Sequence, residues 1–216
     1  MRVAPLSGLL AVALTVVSFL LLGDTPDVDT PGRQVGSYYD AHQGRTFVSL
    51  YLLVLAGALF IFFAAYLARV VRSTPSSVDW LRRVVLAGGV LIAAGFWTGA
   101  GINLALVDLA DKSGAGRDTL QALNALSEDF FIPFVGGMGL MLLAAGLATV
   151  RAPVGALPRW LGWAGIVLGV LVFIPWVGFF AFMLSGLWVI VTAVLLARRP
   201  HPDTPVDVAT PPLSPL

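Results

Sequence analysis

Leu157–Arg199 reads LPRWLGWAGIVLGVLVFIPWVGFFAFMLSGLWVIVTAVLLARR, and between Arg159 and Arg198 it carries no charged residue. One membrane crossing takes roughly 20 residues, so this block is too long for one and fits two. It must fold back on itself. Pro175, Trp176 and Gly178 mark the turn, because a fixed proline φ, an indole suited to the membrane interface and a flexible glycine coincide there. The arginines at the two open ends then lie on the same side of the bilayer.

The composition agrees. A chain of 216 residues that is 58% hydrophobic and 12% charged cannot cover a soluble domain with polar surface, so lipid is the solvent for most of it. The formal charge of +1 points to no nucleic-acid partner. With no cysteine there is no disulfide, thiolate metal site or thiol nucleophile.

Working outward, the first apolar run, Ala4–Leu22, has the length of a crossing, and Leu21 and Gly23 make a poor cleavage site. It reads as a retained helix rather than a removed signal. Residues 24–45 are polar and broken by Pro26, Pro31, Gly32 and Gly36. The capping-box spacing of Ser37 and Asp40 predicts a helix from about Tyr38 into the apolar stretch Phe47–Leu67. Ser76 and Asp79 repeat that spacing before the third apolar run, and Asp118 and Gln121 repeat it before an amphipathic piece bearing Leu120, Leu123 and Leu126. The latter is expected to lie along the outer interface, with Asn124, Glu128 and Asp129 as its polar side. Pro133 is expected to bend the fourth span near its outer end. Gly88, Gly95 and Gly99 share one helical face, and Gly165 and Gly169 repeat the small-xxx-small spacing. Both stripes read as packing surfaces.

The fold expected is all-α, a polytopic transmembrane six-helix bundle over residues 1–199. Its spans are near 4–22, 46–68, 84–107, 130–150, 160–176 and 179–197, and a disordered proline-rich tail occupies 200–216. Lys and Arg gather on the cytoplasmic side of short loops. In this arrangement Arg2, Arg69, Arg72, Arg82, Arg83, Arg151, Arg159, Arg198 and Arg199 fall inside, against Arg33, Arg45, Lys112 and Arg117 outside, nine to four. Both termini are therefore expected in the cytoplasm of a multi-pass plasma-membrane protein.

The segments YYDAHQGRTFVSLYLLVLAGALFIFFAAYLARVVR, LQALNALSEDFF, LPRWLGWAGIVLGVL and LWVIVTAVLLARR resemble a family of small polytopic membrane proteins of unknown function, frequent in actinomycetes. The resemblance covers nearly the whole chain except the tail. It implies a six-helix bundle in the plasma membrane and brings no activity or functional residue with it.

Chemistry at depth needs ionisable groups, and the spans show none. The polar residues that enter them, Ser49, Tyr51, Tyr66, Thr98, Asn103, Ser185 and Thr192, are neutral and read as links between helices. His42 and His201 fall on opposite sides and cannot share a metal, and no nucleophile elbow, HExxH or phosphate-binding loop is present. No catalytic residue, metal or cofactor is expected. The candidate ligand site lies at the outer mouth: Tyr39, His42, Asn103, Asp108 and Asp129, with Tyr38, Asp40, Arg45 and Glu128 at the rim. Beneath them Trp97, Phe130, Phe134, Phe173 and Trp176 form an aromatic floor. The same residues also read as interfacial belt, core and solvated loop charges, except that Trp97 lies mid-span.

Three functions follow. The first is a non-enzymatic protein that binds a lipidic or small amphipathic ligand, or a membrane partner or second copy, from the outer side. The second is a permease or channel subunit. The third is a lipid-headgroup enzyme using Asp129 or His42 as acid or base.

Overall fold

A computed structural model describes residues 3–71, 79–110, 116–151 and 157–198. These form helices α1 (Val3–Leu22), α2 (Gly32–Ala41), α3 (Gln43–Val71), α4 (Asp79–Ala110), α5 (Arg117–Asp129), α6 (Ile132–Arg151), α7 (Arg159–Leu171) and α8 (Gly178–Ala197). No strand occurs among the described residues. The expected tail at 200–216, the Ser76 half of the second capping box, Arg2, Arg72, Lys112 and Arg199 lie outside them.

Five stretches are long and apolar enough to cross a membrane: Ala4–Leu22, Gln43–Val71, Trp80–Ala110, Arg117–Arg151 and Gly178–Ala197. In their most apolar windows only 33% to 44% of residues are buried against protein. The remaining apolar surface suits hydrocarbon and not water. Helix α7 is apolar but only 13 residues long, a rise of roughly 20 Å. The expected span 160–176 is thus a shorter helix followed by a compact turn. In that turn Phe173 and Ile174 donate to the carbonyls of Val170 and Leu171, and Val177 donates to that of Pro175. The reversal falls where proline, tryptophan and glycine signalled it, with Trp176 at φ 69°.

The core is built by close helix contact. The backbones of α4 and α6 meet at Gly88 and Gly137: a Cβ on either would stand 2.7 Å from the other's carbonyl oxygen. Helices α6 and α7 meet in the same way at Gly146 and Gly162. Gly95 lets the backbone of Phe134 approach, so the glycine face of α4 is a packing surface for α6. Helix α1 packs broadly along α3 and against α8. Ser18 and Ser49 lock the first of these contacts, each hydroxyl donating to the other's backbone carbonyl at 2.9 and 2.8 Å.

Helices α2 and α5 are amphipathic and far less apolar than the others. They fold over the end of α4 and enclose a second small core of Val35, Tyr39, Leu106, Val107 and Leu120. Here several expectations are corrected. Helix α2 starts at Gly32 behind Pro31, not near Tyr38, and Ser37 sits inside it, donating to the Gln34 carbonyl at 2.9 Å. Pro31 presets the entering φ and has no N–H to satisfy, while Val35 and Tyr39, one turn apart, supply the buried face. Helix α5 starts after Gly116 with no side-chain cap, so Asp118 caps nothing. Pro133 is the second residue of α6, where a missing N–H costs no helical bond, so it begins that helix instead of bending it.

Candidate functional site

The polar residues expected at the outer mouth are brought together in part. Tyr39 is fully buried in the cap and donates its hydroxyl to Asn103 Oδ1 at 3.2 Å. Asn103 donates from Nδ2 to the Gly99 carbonyl at 3.0 Å and to Ser127 Oγ at 2.9 Å, tying α2, α4 and α5 through one amide. Burial above all, then the Glu128 carboxylate and Tyr38, push the Tyr39 hydroxyl well above the usual tyrosine pKa. It is held protonated as a hydrogen-bond donor.

Asn124 carries a role that the sequence did not reveal. Its place beside Glu128 and Asp129 suggested a solvated face, yet it is completely buried. Its Nδ2 donates to the carbonyls of Pro26 and Asp27 at 2.9 and 3.0 Å. Thr25 adds a bond to Glu128 Oε1 at 2.8 Å. Together they strap the segment after α1 onto α5. Asn124 Oδ1 is buried without a hydrogen-bond partner among the described residues.

A second cluster joins α1 to α3. Arg45 Nη2 donates to the Leu22 carbonyl at 3.2 Å and to the Tyr38 hydroxyl at 2.8 Å, and Tyr38 donates to the same carbonyl at 3.2 Å. The ring of His42 lies 4.5 Å from that of Tyr38, and its Nδ1 donates to the Tyr38 carbonyl at 2.8 Å. Gly23 ends α1 at φ 64°, its N–H closing onto Phe19. The guanidinium therefore stands over the negative end of the α1 dipole.

The remaining candidates do not join these groups. Trp97 is 44% exposed on the outside of the bundle, with its N–H donating to the Val54 carbonyl at 3.0 Å across α3 and α4. Its indole is thus a link between helices and no part of a floor. Trp176 stands 94% exposed at the tip of the α7–α8 turn. Asp108 and Asp129 are exposed near the ends of α4 and α5. Among the floor residues, Phe134 alone is part of a buried aromatic chain, 5.2 Å from Phe96 and 5.5 Å from Phe182 between ring centroids.

That chain leads to one of the apolar clefts found among the described residues, another lying between α7 and α8. An apolar cleft of about 380 Å³ opens between α1 and α8. Val12, Val16, Phe19 and Leu20 form one wall, and Met183, Gly186, Leu187 and Ile190 form the other, with Phe60, Phe96, Met138 and Phe182 at the back. Thr15 is its one polar lining residue, and its hydroxyl is already bonded to the Ala11 carbonyl at 2.9 Å. Leu20 and Leu187, both more than half exposed, flank the opening, so the cleft faces sideways from the bundle. Nothing here can transfer a proton or hold a metal, whereas the volume suits a hydrocarbon chain. No expected site residue lines it. A comparison of the chain with known proteins finds no matching family model, curated protein or solved structure.

Proposed function

We propose that the chain is a multi-pass plasma-membrane protein that receives the hydrocarbon part of a lipidic ligand in the cleft between α1 and α8. It crosses six times, α7 and its turn completing the sixth crossing, with both termini in the cytoplasm and the α2–α5 cap outside. The nine-to-four bias of Lys and Arg supports this orientation. The turn supports the sixth crossing by carrying α7 beyond its 13 helical residues. The family resemblance of the quoted segments belongs to the same proposal.

The cleft is the observation that carries the reading. It has pocket dimensions, an aromatic back wall and no unspent polar group, and it opens on the surface that faces acyl chains. Gly186 provides the test. A Cβ there meets only Val12 Cγ1, at 3.4 Å, so Gly186→Leu is tolerated at the backbone and fills the cleft with its remaining carbons. Native mass spectrometry of full-length protein extracted from membranes is expected to show a lipid adduct on the wild type. Gly186→Leu is expected to lose it while keeping its melting temperature. An adduct retained in full by Gly186→Leu rejects the cleft as the site.

A further inference from the structure

The cleft specifies a hydrocarbon chain but not a headgroup, and Arg45 stands at the end of α1, the helix that forms one of its walls. We propose that Arg45 binds the phosphate of an anionic phospholipid whose acyl chain occupies the α1–α8 cleft, an inference that rests on the lipid-binding reading above.

Phe19 and Leu20 line the cleft, and Leu22 ends the same helix two to three residues later. At about 1.5 Å per residue the end of α1 is roughly 3–5 Å above the upper cleft wall. Arg45 is fixed there by its two bonds from Nη2. Both acceptors are neutral, and among the described residues no carboxylate pairs with it. A guanidinium offers five N–H donors, and the two on Nη2 are engaged, so Nε and Nη1 remain to donate single charge-assisted hydrogen bonds to a phosphate. The side chain is exposed, as a headgroup contact requires.

Charge placement narrows the ligand further. The outer polar segments hold Asp24, Asp27, Asp29, Asp40, Asp108, Asp111, Asp118, Glu128 and Asp129 against four basic residues, so this face repels anions generally. Arg45 is the basic residue placed over the end of α1, above the upper cleft wall. An anion is accepted where its chain can enter at the same time. The cation thus selects among lipids, while the cleft supplies the burial.

The test compares phosphatidylglycerol with phosphatidylcholine of identical chains, mixed equally with the full-length protein and read as bound ratio by native mass spectrometry. The wild type is expected to favour phosphatidylglycerol about fivefold, the roughly 1 kcal/mol that one basic residue gains beside anionic headgroups. Arg45→Gln is expected to bring the ratio to about one with total lipid bound unchanged. Arg45→Lys keeps the charge over α1 and is expected to retain most of the preference, which separates loss of charge from loss of fold should the glutamine variant melt early. An unchanged ratio in Arg45→Gln, or no preference in the wild type, overturns the role of Arg45 and leaves the cleft standing. Total lipid bound that is the same in Gly186→Leu as in the wild type instead overturns the cleft.

Discussion

The crossing of α4 and α6 offers the sharpest test of how this bundle is held together. A Cβ added at Gly88 would stand 2.7 Å from the Gly137 carbonyl, 2.8 Å from Met141 N and 2.9 Å from Met141 Cβ, whereas ordinary contact begins at 3.4 Å. Backbone cannot swing aside as a side chain can, so in Gly88→Ala the two helices must separate by the difference, 3.4 − 2.7 = 0.7 Å. A gap of that size forfeits roughly a quarter to a half of the dispersion attraction of each atom pair across it. Overpacking of this kind costs about 1–3 kcal/mol, and we take about 2 kcal/mol for this crossing. Alanine also gains roughly 1 kcal/mol over glycine in a helix, which would mask part of the loss. Gly101→Ala, on the same helix with nothing within 4 Å of its Cβ, gains that increment alone, so the difference between the two variants reads the crossing. Helicity followed on heating in detergent should place Gly88→Ala about 4–8 °C below Gly101→Ala. Equal melting temperatures would refute the close backbone crossing.

Three further outcomes are expected. With no native cysteine to interfere, a membrane-impermeant maleimide should label Arg117→Cys in intact cells and Arg83→Cys only after permeabilisation, and the reverse pattern would invert the proposed orientation. The raised pKa of Tyr39 means that the unfolded chain releases this proton first. The cap's stability is therefore complete below about pH 10 and falls as pH climbs from there towards the folded-state value. Ultraviolet titration should show a late-ionising tyrosine that Tyr39→Phe removes, and a titration curve with no late step would contradict the burial of that hydroxyl. Asn124→Ala should release the carbonyls of Pro26 and Asp27 and destabilise the cap by about 1–2 kcal/mol, read as faster proteolysis within residues 24–31, and unchanged cleavage would show that the strap is held by something else.

What was legible in the sequence follows the range of each signal. The α7–α8 reversal could be read because a charge-free run of double length admits one solution and Pro175 marks its place. The start of α2 could not. Gly32 and Gly36 are poor helix formers, and their neighbours Val35 and Tyr39 become a helix face only when Leu106 and Leu120 arrive from remote parts of the chain. Gly32 is required for a reason invisible in one dimension: the Arg117 carbonyl oxygen occupies the space where its Cβ would be. The capping-box spacing misled at Ser37 and Asp118 because two short polar residues at that separation are common inside helices as well as at their ends.

The site was half legible for a related reason. Tyr39 and Asn103 attract notice as polar groups beside apolar spans, and they do meet. The cleft offers no such flag. Helices α1 and α8 are apolar all round, so periodicity does not tell which of their faces pack and which leave a gap, and their contact is made across almost the whole length of the chain. Aromatic residues read from position alone suggest a floor, whereas the Trp97 indole needs only one carbonyl, which Val54 provides, and Trp176 stands exposed at the α7–α8 turn. The outcome is a division of labour. In the cap, the Tyr39 hydroxyl and both amide hydrogens of Asn103 and of Asn124 are spent on bonds that fix helices and strap, which leaves those groups little capacity for a ligand. In the cleft, the surface is apolar and the one hydroxyl is engaged, which leaves it fit for hydrocarbon and nothing else. The two regions come together at the end of α1, where a cation with neutral partners stands above an apolar wall, the junction at which the proposed charged lipid would be held.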